Sequence, residues 1–287
     1  MSDVAWTAMD ADELDRQYNA RGTVPDVDVF LKEYRDTSTP MYSRLPCVRD
    51  VRYGPHVDET LDLFPVPGNA AAPLFVFIHG GYWRALAKED SVFMAETFTA
   101  RGIAVASVNY ALSPGVGLDE IVAQCRRALA WLYHHGAAHG VDVNRIVVAG
   151  SSAGGHLGAM LLAPGWQAAH GLPPVVAQGG ALVSGLFDLA PVQRTRPNQW
   201  LQLDEAQAHA LSPLHTLPPA GTRLLIAVAE IDTAEFKRQS AQYAEACRAQ
   251  GCVVQTLEVP RRNHFDVIME WMRPFAPLTA QTWSLFS

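Results

Sequence analysis

The stretch Arg145-Ile146-Val147-Val148-Ala149-Gly150-Ser151-Ser152-Ala153-Gly154 passes from an unbroken apolar run into a G-x-S-x-G pentapeptide, and a helical pattern follows it. A short apolar run closed by glycine reads as a buried strand, so the pentapeptide falls on a strand-to-helix turn. A serine at the tip of so sharp a turn is held in a strained backbone conformation, and glycines two residues either side let strand and helix close on each other. Ser152 is therefore the candidate nucleophile, with neighbouring Ser151 the alternative hydroxyl. Its Oγ is expected above the sheet edge, and the N–H of Ala153 becomes one of the free donors that open the helix. Taken alone, the pentapeptide also reads as a glycine-rich turn that merely makes room.

The flanking sequence repeats the same rhythm. Strand-like stretches at residues 47–53, 60–65 and 74–78 are followed by a helix at 90–100, a strand at 103–109, a helix at 118–134 and the strand 145–149. Beyond Ser152 come strands at 180–184, 223–229 and 253–259, with a helix at 234–250 before the last. Such alternation implies an α/β fold, a mostly parallel central sheet with helices on both faces. Two helical segments, 10–20 and 26–35, precede the first strand; in the second, Asp26 can cap while Val27, Phe30, Leu31 and Tyr34 form one face. Residues 187–217, with several prolines and mixed polarity, break the rhythm and read as a small cap insertion over the carboxyl ends of the strands, where open α/β sheets bind ligands. The whole of 1–287 reads as one domain, with 1–45 its N-terminal helical segment.

Composition narrows the function classes. With 22 Lys and Arg against 29 Asp and Glu, the net charge is -7, and basic residues cluster no further than the pairs Arg126-Arg127 and Arg261-Arg262, so neither a nucleic acid nor an anionic membrane is an expected partner. The opening residues lack a secretory pattern and no run of about 18 apolar residues occurs, from which a soluble, cytoplasmic protein is expected. Cys47, Cys125, Cys247 and Cys252 have no C-x-x-C spacing and read as reduced, mostly buried side chains, with no metal site.

A serine nucleophile needs an oxyanion site, a base and an orienting acid. Directly after the strand 74–78 stands His79-Gly80-Gly81-Tyr82-Trp83, where Gly80, Gly81 or Tyr82 can offer an N–H to pair with that of Ala153. In this strand arrangement acid and then histidine follow the serine, which selects His264, just past the strand 253–259. His156 lies a helical turn below the serine and reads as packing; His215 in the insertion is either a substrate contact or a surface residue. Asp232, a few residues past the strand 223–229, is the preferred acid; Glu230 competes, and capping of the next helix is the alternative role for Asp232.

With Ser152, Asp232, His264 and the His79-Gly80-Gly81-Tyr82-Trp83 loop together, the chain resembles the α/β-hydrolase superfamily, and within it the arylformamidases, or kynurenine formamidases. The H-G-G-x-W loop is typical of that branch, and the segment from Asp232 to Ser240 resembles its D-S-P-E-F-x-R-Q-S around the acid, which favours Asp232 over Glu230. Asn263-His264-Phe265-Asp266 is similar to its D-H-F-E, while Ser184-Gly185-Leu186-Phe187-Asp188-Leu189 and Leu211-Ser212-Pro213-Leu214 resemble its landmarks flanking the insertion. The sequence departs from the pattern at Ala234, in place of proline, and at Asn263, in place of an acid.

The resemblance implies a cofactor-free, two-step acyl transfer, with a formyl group on an aryl amine such as N-formylkynurenine as substrate and Tyr82, Trp83 and Phe265 against the aromatic leaving group. A short-acyl carboxylesterase uses the same machinery, and a binding protein on a hydrolase scaffold is the reading from another class. No Arg or Lys in these motifs marks a carboxylate-binding site; Arg84, Lys237 and Arg262 read equally as contacts for a substrate carboxylate or as solvated surface cations. The small-molecule amide or ester is the expected partner, and a homodimer is compatible with the sequence.

Overall fold

The computed structural model describes residues 6–287; residues 1–5, which carry most of the non-secretory N-terminal reading, lie outside the described residues. Eight strands form one sheet: β1 (Val48–Arg52), β2 (Thr60–Phe64), β3 (Ala72–Ile78), β4 (Ala104–Val108), β5 (Val141–Ser151), β6 (Gly179–Val183), β7 (Arg223–Ala229) and β8 (Val253–Val259). Their order is β1-β2-β4-β3-β5-β6-β7-β8, with β1–β2 and β2–β4 antiparallel and every other pair parallel.

The strict two-residue alternation of a strand builds two cores from one sequence. In β3, Leu74, Val76 and Ile78 face one layer while Phe75 and Phe77 face the other; in β5, Ile146 and Val148 oppose Val147 and Ala149. The first layer is closed by helices Leu118–His135, Ala153–Leu162 and Ala234–Ala249, the second by Ala95–Ala100, Asp266–Met272 and Pro277–Ser284. Trp271 meets Phe75 and Phe77 edge-on at 5.5 and 5.6 Å, which anchors the segment after β8 beneath the sheet.

This topology decides where the site can be. The adjacent parallel strands β3, β5, β6, β7 and β8 all end at one sheet edge, and His79, Ser152, Ser184, Asp232 and His264 follow their carboxyl ends. The insertion crosses the same edge as short helical pieces, Val192–Arg194, Asn198–Leu201, Glu205–Ala210 and Pro213–His215. At the N-terminus, Asp10 caps the helix Ala11–Gln17 by accepting from Glu13 N at 2.8 Å, and the chain then makes a 3-10 turn, Ala20–Thr23. The second helix runs Asp28–Ser38, with Asp26 accepting from Asp28 N at 2.9 Å. Expected helix 90–100 begins instead as a 3-10 turn, Lys88–Asp90, and becomes α-helical only at Ala95–Ala100. There Lys88, buried against Asp50, Asp62 and Glu89, fixes the local path by a charge network that no periodicity reveals.

Candidate active site

Ser152 has φ 57° and ψ -120°, the left-handed strain expected of a serine on a strand-to-helix turn. Its N–H donates to Val183 O at 2.9 Å and its carbonyl accepts from His156 N at 3.1 Å, so both neighbours of the turn clamp it. The flanking glycines are required by space. A Cβ on Gly150 would collide with the carbonyl of Gly154, and one on Gly154 with the carbonyls of Ile78 and His79. The helix Ala153–Leu162 begins immediately after the serine, and the N–H of Ala153 is one of the donors its first turn leaves without an intrahelical partner.

Asp232 and His264 meet across the ends of β7 and β8: His264 Nδ1 lies 2.6 Å from Asp232 Oδ1, both side chains buried. Asp232 Oδ2 accepts from Ser184 Oγ at 2.5 Å and from Ala229 N at 2.9 Å. Burial pushes the Asp232 carboxyl up, but the His264 ring and these donors outweigh it and hold the pKa below the usual carboxylate range. The His264 ring packs on Phe236 at 4.6 Å, and Phe265 O accepts from Tyr34 Oη, which pins the histidine loop to the second N-terminal helix. Ser152 and His264 line one cavity; no hydrogen bond within 3.5 Å joins them among the described residues. Glu230, the competing acid, turns away to accept from Arg261 N at 2.6 Å.

The loop after β3 lies against the serine turn. A Cβ on Gly80 would come within 2.8 Å of Ser151 O and 3.5 Å of Ser152 Cβ, so only glycine lets the loop approach so closely. Gly81, Tyr82 and Trp83 have φ 97°, 52° and 56°, three consecutive left-handed residues, and Arg84 N closes the turn onto Gly81 O at 3.1 Å. Tyr110 supports it from below, donating its hydroxyl to His79 O at 2.9 Å and stacking on the His79 ring at 4.2 Å.

This backbone corrects one expected contact. Trp83 does not face substrate: it is fully buried, edge-on to His156 at 5.1 Å, and absent from the cavity wall. Left-handed residues in succession send Tyr82 into the wall and Trp83 into the core. Tyr82 and Phe265 do line the cavity, with Gly80 and Gly81. Tyr82 spends its hydroxyl on Tyr18 O, leaving its ring for contact, and Phe265 stacks on Phe30 at 5.8 Å. His156 is the packing residue its helical position implied, its Nε2 2.7 Å from Leu211 O. His215 is exposed, stacked on His209 at 4.1 Å and off the cavity. Of the three cations, Lys237 pairs with Glu258 at 3.2 Å and Arg262 with Asp266 and Glu270; Arg84 alone borders the cavity.

The cavity holds about 890 Å³, and besides the expected insertion much of its wall comes from the N-terminal segment, which has no functional role in the sequence reading. Tyr18 and Arg21 from the N-terminal segment, Leu31 and Tyr34 from the second helix, and Trp200 from the insertion all line it. Tyr18 Oη donates to Glu235 at 2.8 Å and accepts from Gln239 Nε2 at 2.7 Å, while Arg238 holds Glu235 through two hydrogen bonds. Thus Glu235, Arg238 and Gln239, in the segment behind Asp232, fasten Tyr18 of the N-terminal wall. The only sequence trace of that wall is the apolar face Phe30, Leu31 and Tyr34, which does not say what it covers. All four cysteines are unpaired, and among the described residues no cluster of His, Cys, Asp or Glu could hold a metal ion.

A mostly parallel sheet with a strained serine after β5, a histidine after β8 and helices on both faces defines a hydrolase of the α/β-hydrolase class. Solved structures agree: a protein from Silicibacter sp. tm1040 superposes with TM-score 0.79 at 30% identity, covering 93% of this chain and 98% of that one. Esterase B from Lactobacillus rhamnosis shares the fold at TM-score 0.69 and 20% identity, covering 93% of each chain. The BD-FAE family profile matches residues 61–167. Kynurenine formamidase of Salmo salar is 32% identical over 282 residues, 92% of each chain, and that of Danio rerio 32% identical over 283 residues, 93% of each. The chain belongs to the kynurenine formamidase family.

Proposed function

We propose that this hydrolase removes a small acyl group, formyl above all, from an aryl amide of the N-formylkynurenine type through a Ser152 acyl-enzyme. The observation that carries the reading is the buried 2.6 Å contact between His264 Nδ1 and Asp232, opening with strained Ser152 onto one aromatic-walled cavity. Relatives bearing the kynurenine formamidase name across nine-tenths of the chain support the substrate class.

In this mechanism Asp232 fixes His264 with Nδ1 protonated, so Nε2 is the basic nitrogen that takes the Ser152 proton. The alkoxide forms a C–O bond to the acyl carbon, and the negative oxygen is received by the N–H of Ala153 with that of Gly80 or Gly81. His264 then returns the proton to the departing aryl nitrogen, the C–N bond breaks, and water, deprotonated by the same imidazole, releases the acid. One such N–H donor contributes roughly 10²- to 10³-fold in rate, and the histidine roughly 10²- to 10⁴-fold. A formyl group offers a pocket little to hold, so affinity must come from the leaving group, for which Tyr82 and Phe265 supply aromatic surface. A cytoplasmic location accompanies the reading, since four unpaired cysteines suit a reducing compartment.

The test is kcat/KM for N-formylkynurenine beside p-nitrophenyl acetate and butyrate. A clear preference for the formamide is expected. Efficient ester cleavage with no formamide turnover would replace the reading by a short-acyl carboxylesterase, and no turnover of any of the three would favour a binding role.

A further inference from the structure

The cavity carries a charge opposite to that of the whole molecule. Net charge is -7, yet the charged groups on the cavity wall besides His264 are four arginines, Arg16, Arg21, Arg84 and Arg196, against two carboxylates, Asp12 and Asp15. Two of these arginines are already engaged: Arg196 Nε lies 3.0 Å from Asp15 Oδ2, and Arg16 pairs with Glu13. Among the described residues no carboxylate lies within 4.0 Å of Arg21 or Arg84. A concave wall with surplus positive charge on an acidic protein concentrates anions at its mouth.

Arg84 is also oriented. Its guanidinium carbon sits 4.3 Å over the Trp200 ring; Trp200 is tied to the oxyanion loop by donating Nε1–H to Tyr82 O at 3.1 Å. Stacking occupies the flat face of a guanidinium and leaves its in-plane N–H groups free, the edge that matches a carboxylate in a two-bond fork. The hydrogen bond from Arg84 N to Gly81 O makes the loop a four-residue turn, which keeps the two Cα atoms within about 7 Å. The cation is therefore built into the same rigid turn that carries the candidate oxyanion donors.

We infer that Arg84, held by Trp200 and assisted by Arg21, is the residue that selects for a carboxylate on the leaving group. The inference rests on the Ser152 acyl-transfer reading and assigns recognition of the leaving group's charge to one residue, which a short neutral ester does not engage. Arg84 touches the distal end of the substrate, away from the bond that breaks, so its contribution falls mainly on KM.

Two probes differing only in that charge test it: 3-(2-formamidophenyl)propanoate and its primary carboxamide. The expected ratio of kcat/KM, anion over carboxamide, is about 10 or more at low ionic strength, as for a hydrogen-bonded ion pair. It should shrink several-fold in about 0.5 M salt and fall about tenfold in Arg84→Gln, with Arg84→Lys between. A ratio near one in the wild type, or a ratio untouched in a folded Arg84→Gln protein, overturns the inference. Calorimetry of Ser152→Ala with the deformylated propanoate and its carboxamide asks the same question without turnover, and equal affinities also overturn it. Absence of formanilide turnover together with selective binding of the anion would instead remove the formamidase reading and leave the charge selection standing.

Discussion

Acidification from about pH 7.5 to about pH 5 is expected to destabilise the protein through two neutral imidazoles beneath the candidate oxyanion site. His79 opens the loop after β3, with Nδ1 2.9 Å from Gly80 O; His156 lies on the helix behind Ser152, with Nε2 2.7 Å from Leu211 O. Each ring's other nitrogen is buried without a partner, so a second proton would place an unpaired charge in the core. Burial lowers both pKa values to about 4, against an ordinary value of 6.5, with the backbone contacts opposing it. Because the folded pKa is the lower one, the unfolded chain binds more protons between these limits: the stabilisation is full above the unfolded pKa and is lost as pH falls toward the folded one. Linkage over that interval gives a loss of about 2 kcal/mol per histidine by pH 5 and about 3 kcal/mol by pH 4. Urea unfolding of wild type and His156→Gln at both pH values isolates the effect, since only the difference between pH values is compared. The variant should lose about 2 kcal/mol less than wild type between neutral pH and pH 5. Identical losses would refute the assignment of His156 as a buried neutral group.

Three further outcomes follow from the same geometry. Ser184→Ala removes the 2.5 Å donor to Asp232 and is expected to lower kcat by about 10-fold or more with little change in KM, measured by steady-state kinetics. Gly154→Ala drives a methyl into the carbonyls of Ile78 and His79, so the urea midpoint should drop by the equivalent of roughly 1–3 kcal/mol and turnover should fall with it. Tyr18→Phe deletes the hydroxyl shared by Glu235 and Gln239; leaving those buried groups short of a partner is expected to cost about 1–3 kcal/mol, read by thermal or urea unfolding.

What was legible in the sequence depended on how local its cause is. Strand β5 and the serine turn are set by neighbouring residues: an apolar run, then glycines where strand and helix touch. The meeting of Asp232 and His264 was readable for a related reason, because parallel strands deliver their following loops to one edge. Side-chain direction within the loop after β3 was not readable, since it rests on three consecutive left-handed residues, two of them not glycine; hence Trp83 turned inward rather than toward substrate. Nor was the cavity wall. Tyr18 and Trp200 reach it through contacts with segments far away in the chain, Tyr18 with Glu235 and Trp200 with Tyr82, and neither period nor composition encodes such contacts. Ser184 stood among the landmark residues, but only the fold brings its hydroxyl to Asp232.

The central claim is that Ser152 is the hydroxyl activated by His264 and Asp232, and active-site labelling tests it most directly. Treating the protein with an organophosphonate and locating the adduct by peptide mass spectrometry should find one equivalent on Ser152, none in Ser152→Ala, and greatly slowed labelling in Asp232→Asn. An adduct on Ser151 or elsewhere, or undiminished labelling in the Ser152→Ala protein, would contradict it.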